Sequence, residues 1–179
     1  MAKVITVSEK FPAYHPKKDK PTYFKQQIWG SLYNQGFDLT KQIKDPETYM
    51  FNNWFNRRPK NHTVRLGRRW KTGDTASIRV WGTDINPKSG RIGPYHSKQI
   101  IIAPDVEVTV YNIIISCNQY MFQPMKPTGT PDEYILISSG ELALNDGLSL
   151  EDFTSWFNPK GKKQEIEAQI ICWNKNIKY

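Results

Sequence analysis

Lys60 and Thr63 open a short segment, ending at Asp74, in which residues able to act on a polar ligand follow one another closely. A threonine hydroxyl becomes a good nucleophile only when a neighbouring base takes its proton. Lys60 would be that base if it were neutral, which requires burial or a nearby cation to lower its pKa, and Arg65 is the candidate cation. The same lysine, or backbone N–H groups, would stabilise the oxyanion formed when a carbonyl is attacked.

The segment also suits binding without reaction. Its basic side chains would contact phosphates, and each such contact adds salt-sensitive affinity. Trp70 would stack on a base, which contributes about 1–3 kcal/mol per base in proteins that bind single strands. The alternative for Trp70 is packing beneath the β-barrel that the strand pattern predicts, because indoles are mostly buried. The candidate binding residues are Arg65, Arg68, Arg69, Trp70 and Lys71.

The spacing of Lys60 and Thr63 constrains the backbone. Residues three apart in a regular strand point to opposite faces, so the two side chains converge only if Lys60 lies in a turn before the strand. Pro59 disfavours regular pairing at that point, which favours such a turn. Both residues also have an ordinary structural explanation. Lys60 would be one more solvated charge in a basic run, and Thr63 a β-former at a strand start.

The composition favours an anionic partner. The 179 residues carry a formal net charge of +8, which attracts nucleic acid, although a basic protein with no such partner can have the same composition. The length fits one domain, residues 1–179. No apolar run approaches the roughly 20 residues of a membrane span, and the start of the chain lacks an apolar secretory segment. We therefore expect a cytoplasmic protein without a membrane partner.

Several kinds of site are not predicted. The two cysteines and three histidines have no zinc-binding spacing. The sequence contains neither a phosphate-binding glycine loop nor a nucleophile elbow. We therefore expect no metal and no cofactor. Cys117 and Cys172 lie in apolar segments and are expected to be buried free thiols.

The pattern of apolar residues predicts short strands and two helices. Thr22 would cap a first helix with an apolar face that includes Ile28 and Leu32. Residues 35–59 are interpreted as a partly helical insertion, and 118–132 as a loop. Many short strands with two flanking helices predict an α+β fold built on a small closed β-barrel. The other predicted elements are strands at 4–7, 76–81, 99–102, 106–110, 113–117, 134–137 and 165–173, and a helix with Leu150, Phe153, Trp156 and Phe157 on one face, which Ser149 caps and Asn158 ends.

Two separated motifs resemble the signature of the ASCH domain family, whose members are PUA-like β-barrels. The first is Lys60-Asn-His-Thr-Val-Arg65 followed by Trp70-Lys-Thr-Gly-Asp74. The second is Asn145-Asp-Gly-Leu-Ser-Leu-Glu-Asp-Phe153, which is similar to the acidic residue and following helix near the family's C-terminal end. The insertion at 35–59 and the long loop at 118–132 depart from the compact bacterial members, and both would cover or reshape a cleft.

The resemblance implies a function as well as a fold. ASCH domains are thought to bind RNA or modified nucleosides, and some small members are amidohydrolases that remove the acetyl group from N4-acetylcytidine. A lysine, a threonine and a glutamate form their catalytic set, and the resemblance places Lys60, Thr63 and Asp146 in those roles. The aspartate is one carbon shorter than the family's glutamate. Geometric tolerance in catalysis is of that order.

Three functions follow as expectations. The favoured one is binding of RNA or a modified nucleoside in a cleft formed by Lys60, Thr63, Arg65 and Asp146. The alternative is amide hydrolysis on an N4-acetylcytidine-type substrate, with Thr63 as nucleophile, Lys60 as its activator and Asp146 as the group that orients Lys60. The third is a protein-interaction module, for which the expected feature is an exposed aromatic patch in residues 49–55.

Overall fold

Backbone pairing divides the strands of the computed structural model, which describes residues 2–47, 49, 57–91, 96–119 and 121–179, between two sheets. In the first, β1 (Lys3–Thr6) runs parallel to β3 (Thr75–Trp81), which also pairs antiparallel with β4 (Gln99–Ile101) and β5 (Val106–Glu107). The second sheet consists of β2 (His62–Leu66), β6 (Thr109–Cys117), β7 (Phe122–Pro127), β8 (Tyr134–Leu136) and β9 (Gln164–Cys172). It is antiparallel, in the order β2-β9-β6-β7-β8. With α1 (Phe24–Tyr33), α2 (Ser139–Asn145) and α3 (Leu150–Phe157), the elements make the α+β fold that was predicted.

The prediction of a closed β-barrel is wrong. Within the described ranges, no ladder of backbone pairing joins the two sheets. The chain passes from one sheet to the other at the buried Val108, between β5 and β6. At the opposite side, the edges formed by β1 and β2 stay apart, and a side chain bridges them: the Arg65 guanidinium donates a hydrogen bond to the carbonyl oxygen of Thr6. A cleft occupies the place where pairing of β1 with β2 would have closed the barrel.

One hydrophobic core contains α1 and residues from both sheets. The apolar face predicted for the first helix is buried, since Ile28 and Leu32 are fully covered. The Trp29 indole N–H donates to the carbonyl oxygen of Ile102, just after β4, and so ties α1 to the mixed sheet. The face predicted to be inward along β3, with Ala76, Ile78 and Val80, is buried, but Ser77 on the opposite face is buried as well.

Capping was predicted correctly at one helix and misplaced at another. The Ser149 hydroxyl accepts a hydrogen bond from the Asp152 N–H at 3.1 Å and so begins α3 as expected. At α1 the capping position is Tyr23, which has a left-handed backbone with φ of 62° and no side-chain cap. The Thr22 hydroxyl instead accepts from the Phe24 N–H at 3.4 Å, so the helix begins one residue later than Thr22 alone would indicate.

Four features of the second sheet and the two later helices differ from the prediction. Strand β7 lies inside the segment interpreted as a loop, where Pro124 argued against a strand because proline cannot donate to a ladder. Strand β6 is continuous from Thr109 to Cys117, and was predicted as two runs. Helix α2 was not predicted, although the Ser138 hydroxyl accepts from the Glu141 N–H as in a capping box. In α3, Leu150 is about half exposed, so only the later part of the predicted face is covered.

The remaining predictions concern the insertion, the two cysteines and membrane-spanning segments. In the described part of the insertion, Leu39 and Ile43 are buried in the core, and Tyr49 packs edge-on against Trp29. The rest of the aromatic patch at 49–55 lies outside the described residues. Cys117 and Cys172 are buried free thiols, as predicted. In the part of the chain that the structure describes, no helix has both the length and the apolar character that membrane crossing requires.

Candidate ligand-binding cleft

A cleft of about 440 Å³ lies between the open edges of β1 and β2. Its floor and sides combine a small number of charged groups with aromatic rings, a combination typical of small-molecule sites. The predicted residues Lys60, Thr63, Arg65 and Asp146 all line it. The aromatic lining is Phe24, Trp81, Trp156 and Phe157, and the remaining lining residues are Thr6, Val7, Ser8, Val64 and Gln99.

Lys60 and Asp146 form a buried ion pair in this cleft. The Lys60 ammonium donates to the Asp146 carboxylate at 2.7 Å and to the Asp146 backbone carbonyl at 2.6 Å. The two side chains are 1% and 7% exposed. The ammonium also lies 4.2 Å from the centre of the Phe24 ring, which contributes a cation–π attraction. The aspartate therefore reaches the lysine despite being one carbon shorter than a glutamate.

Lys60 lies just before β2 in a segment without regular secondary structure, so it is outside the strand as its spacing from Thr63 requires, although no turn is formed there. Its N–H donates to the carbonyl oxygen of Gln27 in α1 at 3.1 Å, and its own carbonyl accepts from the Trp173 indole at 3.0 Å. The next residue, Asn61, donates its N–H to the carbonyl oxygen of Asn145 at 2.8 Å. These bonds hold the segment between α1, the end of α2 and the residue after β9. Thr63 follows inside β2 on the same side as Arg65.

Asp146 is held in place by the turn that ends α2. It occupies the C-terminal capping position, and Gly147 follows with a left-handed φ of 77°. The Gln27 side-chain amide donates to the carbonyl oxygen of Gly147 at 3.0 Å. A Cβ at Gly147 would lie 2.4 Å from the Gln27 amide oxygen and 3.2 Å from the Lys60 Cβ. The turn thus requires glycine for its conformation and for its close approach to Lys60.

Burial governs the ionisation of this site. It lowers the pKa of Lys60, and Arg65 adds to that effect, while the Asp146 carboxylate opposes it. Burial likewise raises the pKa of Asp146 against the attraction of Lys60. The pKa of Arg65 is lowered by burial and supported by Asp146, but a guanidinium remains charged in proteins. The pKa of Lys60 is therefore shifted in the direction that a lysine acting as a base requires.

His62 is a neighbour of this pair that the sequence analysis gave no role. Burial and the charge of Lys60 hold its pKa well below the usual range, so it is neutral at neutral pH. Its Nε2 lies 3.9 Å from the Asp146 carboxylate, too far for a hydrogen bond, and its Nδ1 contacts the Tyr179 hydroxyl at 2.8 Å. The same hydroxyl accepts from the Asn145 side chain at 3.0 Å. Tyr179 thus links His62 to Asn145, the residue before Asp146.

The other predicted binding residues are not brought into the cleft. Arg68, Arg69 and Lys71 are exposed on the turn between β2 and β3, and Arg68 forms an ion pair with Glu167 at 3.3 Å. Trp70 is half-buried against the core, and its backbone N–H and carbonyl both bond the Gln169 side chain at 2.9 Å. The packing alternative for Trp70 is therefore the one that its contacts support.

Several walls of the cleft were not foreseen as functional. Trp81 and Trp156 were interpreted as packing residues, and Gln99 as part of a strand. A sequence signal for them was lacking because they reach the cleft only through the arrangement of β3, β4 and α3. Among the described residues, no group of three or more histidine, cysteine or acidic side chains is placed to hold a metal ion.

Comparisons of the chain with protein-family models, curated proteins and solved structures found no match. The resemblance to ASCH domains therefore rests on the two sequence motifs alone. Lys60 and Asp146 are 86 residues apart in the chain, and the fold brings them to 2.7 Å.

Replacement of Gly147 by alanine tests the turn beneath Lys60. Gly67→Ala is a matched control, because Gly67 has a φ of 79° but open space where a Cβ would stand. Both variants acquire left-handed strain, so we expect Gly67→Ala to lose about 1 kcal/mol of unfolding free energy. Gly147→Ala additionally displaces Gln27 and should lose about 2 kcal/mol more. Urea unfolding measures both, and equal losses would contradict the close approach.

Asp146→Asn tests the ion pair through the pH dependence of stability. Removing one partner of a buried pair should cost about 3–5 kcal/mol at neutral pH. The pKa of Lys60, already lowered by burial, should fall further without the carboxylate. Above that lowered pKa the folded state binds fewer protons than the unfolded state, so stability should rise with pH toward the usual lysine value of 10.5. Urea unfolding between neutral and alkaline pH measures this rise.

The double variant Lys60→Met, Asp146→Asn is the control for the pH experiment. It contains no ionisable group at the pair, so its stability should lack the alkaline recovery that the single variant shows. An identical pH profile for the single and double variants would mean that Lys60 is not the group responsible.

Proposed function

We propose that the cleft binds a modified nucleoside, free or turned out of an RNA strand, and that the chain is an ASCH-like member of the PUA-like folds. The observation that carries the proposal is the convergence of four residues from two distant motifs on one cavity. Those residues are Lys60, Thr63, Arg65 and Asp146. An isolated match at either motif would have an ordinary structural explanation, whereas their meeting at a ligand-sized opening does not follow from packing alone.

The size and lining of the cleft support a single nucleoside. Its volume of about 440 Å³ falls within the range of small-ligand sites. Trp81 and Trp156 line the cleft and would suit stacking on a base, and Arg65 has N–H donors that suit carbonyl and hydroxyl oxygens. The site has two cations and one carboxylate, so its net charge is positive and favours an electron-rich or anionic ligand.

An RNA strand would use a second surface. Arg68, Arg69 and Lys71 are exposed on the turn that follows β2, the strand containing Thr63 and Arg65. These side chains would contact the backbone phosphates of a strand while one base enters the cleft. The affinity for an RNA oligonucleotide should then fall with salt, whereas the affinity for a free nucleoside should not.

The binding proposal predicts different effects for two arginine substitutions. Arg65→Gln removes a guanidinium from the cleft, and Arg69→Gln removes an exposed one outside it. Because hydrogen bonds to charged groups contribute about 1.5–3 kcal/mol, Arg65→Gln should weaken nucleoside binding roughly tenfold or more. Titration of N4-acetylcytidine and cytidine against tryptophan fluorescence measures the dissociation constants.

Arg69→Gln should leave nucleoside affinity unchanged and weaken only RNA binding. Because Arg65 also bonds Thr6, thermal unfolding of both variants should accompany the titrations, so that loss of fold is separated from loss of contact. Equal affinities for wild type, Arg65→Gln and Arg69→Gln would remove Arg65 from the binding site. If the folded wild-type protein binds no nucleoside, the proposal that the ligand is a nucleoside is wrong.

A second candidate, amide hydrolysis, is favoured by the geometry around Lys60. A neutral lysine has two N–H donors and one lone pair. The carboxylate and the carbonyl of Asp146 accept two N–H bonds, which leaves the lone pair to accept a proton. The Thr63 hydroxyl lines the same cleft and makes no hydrogen bond to any residue in the described ranges. It is therefore available to attack a bound carbonyl.

The chemical sequence we propose for this candidate has two halves. Thr63 Oγ bonds to the acetyl carbonyl carbon while Lys60 takes the hydroxyl proton, and the resulting ammonium stabilises the oxyanion. The C–N bond then breaks and Lys60 gives the proton to the departing amine of cytidine. Water next attacks the acetyl ester on Thr63 while Lys60 takes one of its protons, the bond between Thr63 Oγ and the acetyl carbon breaks, and Lys60 returns the proton to Oγ. N4-acetylcytidine and water thus yield cytidine and acetic acid, which ionises to acetate and a proton.

Hydroxyl-specific substitution separates this candidate from binding alone. Thr63→Val keeps the shape of the side chain but has no hydroxyl, and should lower the rate of cytidine release about 100-fold or more. Thr63→Ser keeps the nucleophile and should retain most activity. Thr75→Val, at the exposed start of β3, is the control. Chromatographic detection of cytidine released from N4-acetylcytidine measures the rates, and turnover unaffected by Thr63→Val would exclude this mechanism.

A further inference from the structure

His62 is a fully buried histidine beside the ion pair, and its Nε2 forms no hydrogen bond within the part of the chain that the structure describes. Nε2 lies 3.9 Å from Asp146 Oδ1, the same oxygen that the Lys60 ammonium holds at 2.7 Å. The carbonyl oxygen of Leu142 also faces the His62 ring. An unprotonated Nε2 would face the carboxylate as one acceptor against another, whereas a protonated Nε2 is a donor directed at it.

A chain of hydrogen bonds with a fixed direction reaches the histidine ring from the other side. It starts at the backbone N–H of Asn176, which can only donate, so the atom of the Asn174 side chain that faces it at 3.0 Å is the oxygen. The Asn174 amide nitrogen donates to the Asn61 side-chain oxygen at 3.0 Å, and the Asn61 nitrogen donates to the Asn145 oxygen at 3.1 Å. The Asn145 nitrogen is therefore the group that donates to the Tyr179 hydroxyl at 3.0 Å.

The Tyr179 hydroxyl passes this direction on to His62. Its oxygen accepts from Asn145, and its own proton is left to donate to His62 Nδ1 at 2.8 Å. The Tyr179 ring is held there by the Tyr111 ring, packed edge-on at 5.5 Å, and by Lys126, whose ammonium donates to the Tyr179 carbonyl oxygen. A neutral imidazole that accepts at Nδ1 carries its proton on Nε2. The Nε2 proton is thus directed at the ion pair.

The Asp146 carboxylate needs a further donor when Lys60 is engaged elsewhere. A ligand that takes a hydrogen bond or a proton from the ammonium weakens its hold on Oδ1, and a buried carboxylate with too few donors is costly. Arg65 and the backbone N–H of Val64 already support the carboxylate charge. His62 differs from them because its donor is unused, and a shift of about 1 Å would bring Nε2 within hydrogen-bond distance of Oδ1.

We propose that His62 is a positioning residue of the cleft, whose Nε2–H takes over the Asp146 carboxylate when Lys60 turns to a bound ligand. The inference rests on the proposed function and deepens it, because the ligand is the one that the cleft is proposed to bind. A histidine that only filled the core and anchored Tyr179 would need Nδ1 alone. The use of Nε2 therefore distinguishes positioning from packing.

The first test follows the His62 ring by long-range proton–nitrogen NMR correlations, with His62→Gln used to assign its signals. Without ligand we expect a neutral ring with its proton on Nε2. Tyr179→Phe should move the Nδ1 resonance toward that of a nitrogen without a hydrogen bond, and Tyr111→Phe, which keeps the Tyr179 hydroxyl, should not. Saturation with N4-acetylcytidine should move the Nε2 proton downfield, because it then becomes hydrogen-bonded. A wild-type ring with its proton on Nδ1 would overturn the proposal.

The second test compares two substitutions of similar polarity. The side-chain amide of glutamine reaches the place of Nε2, whereas that of asparagine ends at the place of Nδ1. His62→Gln therefore keeps a donor for Asp146 and loses the bond to Tyr179, and His62→Asn does the reverse. We expect N4-acetylcytidine affinity within a few-fold of wild type for His62→Gln and about tenfold weaker for His62→Asn. Equal affinities or the opposite order, in variants that urea unfolding shows to be folded, would contradict positioning.

Different results overturn different parts of the reasoning. Nucleoside binding that leaves the Nε2 proton signal unchanged overturns the role of His62 and leaves the binding function standing. If the folded wild-type protein binds no nucleoside, the proposed function fails and this inference fails with it. If neither His62 variant folds, the ligand-induced shift of the wild-type Nε2 proton decides alone, and its absence overturns the proposal.

Discussion

The buried pair of Lys60 and Asp146 is the constraint on which the rest of the site depends. Burial disfavours both charges, and the pair persists because backbone bonds hold each partner in position. Gln27 bonds both sides of it, accepting from the Lys60 N–H and donating to the carbonyl of Gly147. Helix α1 therefore contacts the site through Gln27, the residue that also holds Lys60 and the Asp146 turn in position. A change in the packing of α1 would for this reason also change the geometry of the site.

The ionisation state of Lys60 separates the two candidate functions. As a cation with three donors, it gives two to Asp146 and keeps one for a ligand oxygen, which suits binding. As a neutral amine, it keeps a lone pair and becomes a base for Thr63. Burial and Arg65 favour the neutral form, and Asp146 favours the charged form. A ligand that excludes water from the cleft would strengthen all of these effects, so its chemistry would decide which form prevails.

The sequence was sufficient for features that depend on near neighbours. The spacing from Lys60 to Thr63, the buried face of β3 and the cap at Ser149 are local, and the structure has each of them. The meeting of Lys60 with Asp146 required the family resemblance, because nothing local indicates a contact across 86 residues. Trp81 and Gln99 line the cleft only because of which strand edges face each other, and the sequence does not indicate that arrangement. The prediction of a closed barrel was wrong because it depended on the same arrangement. Strand β7 was missed because it contains Pro124 and Pro127, and proline argues against an interior strand.

The edges of β1 and β2 do not pair with each other, so the two sheets are open toward the cleft on this side of the fold. Only the Arg65 bond to Thr6 is found to span the gap among the described residues that line it. A ligand seated there would touch both edges, and its contacts would take the place of the absent ladder. Ligand binding would then also stabilise the contact between the two sheets, because a molecule that binds only the folded chain stabilises it by mass action. The empty protein would be the looser form, and the cell's supply of the ligand would set how long the chain survives proteolysis.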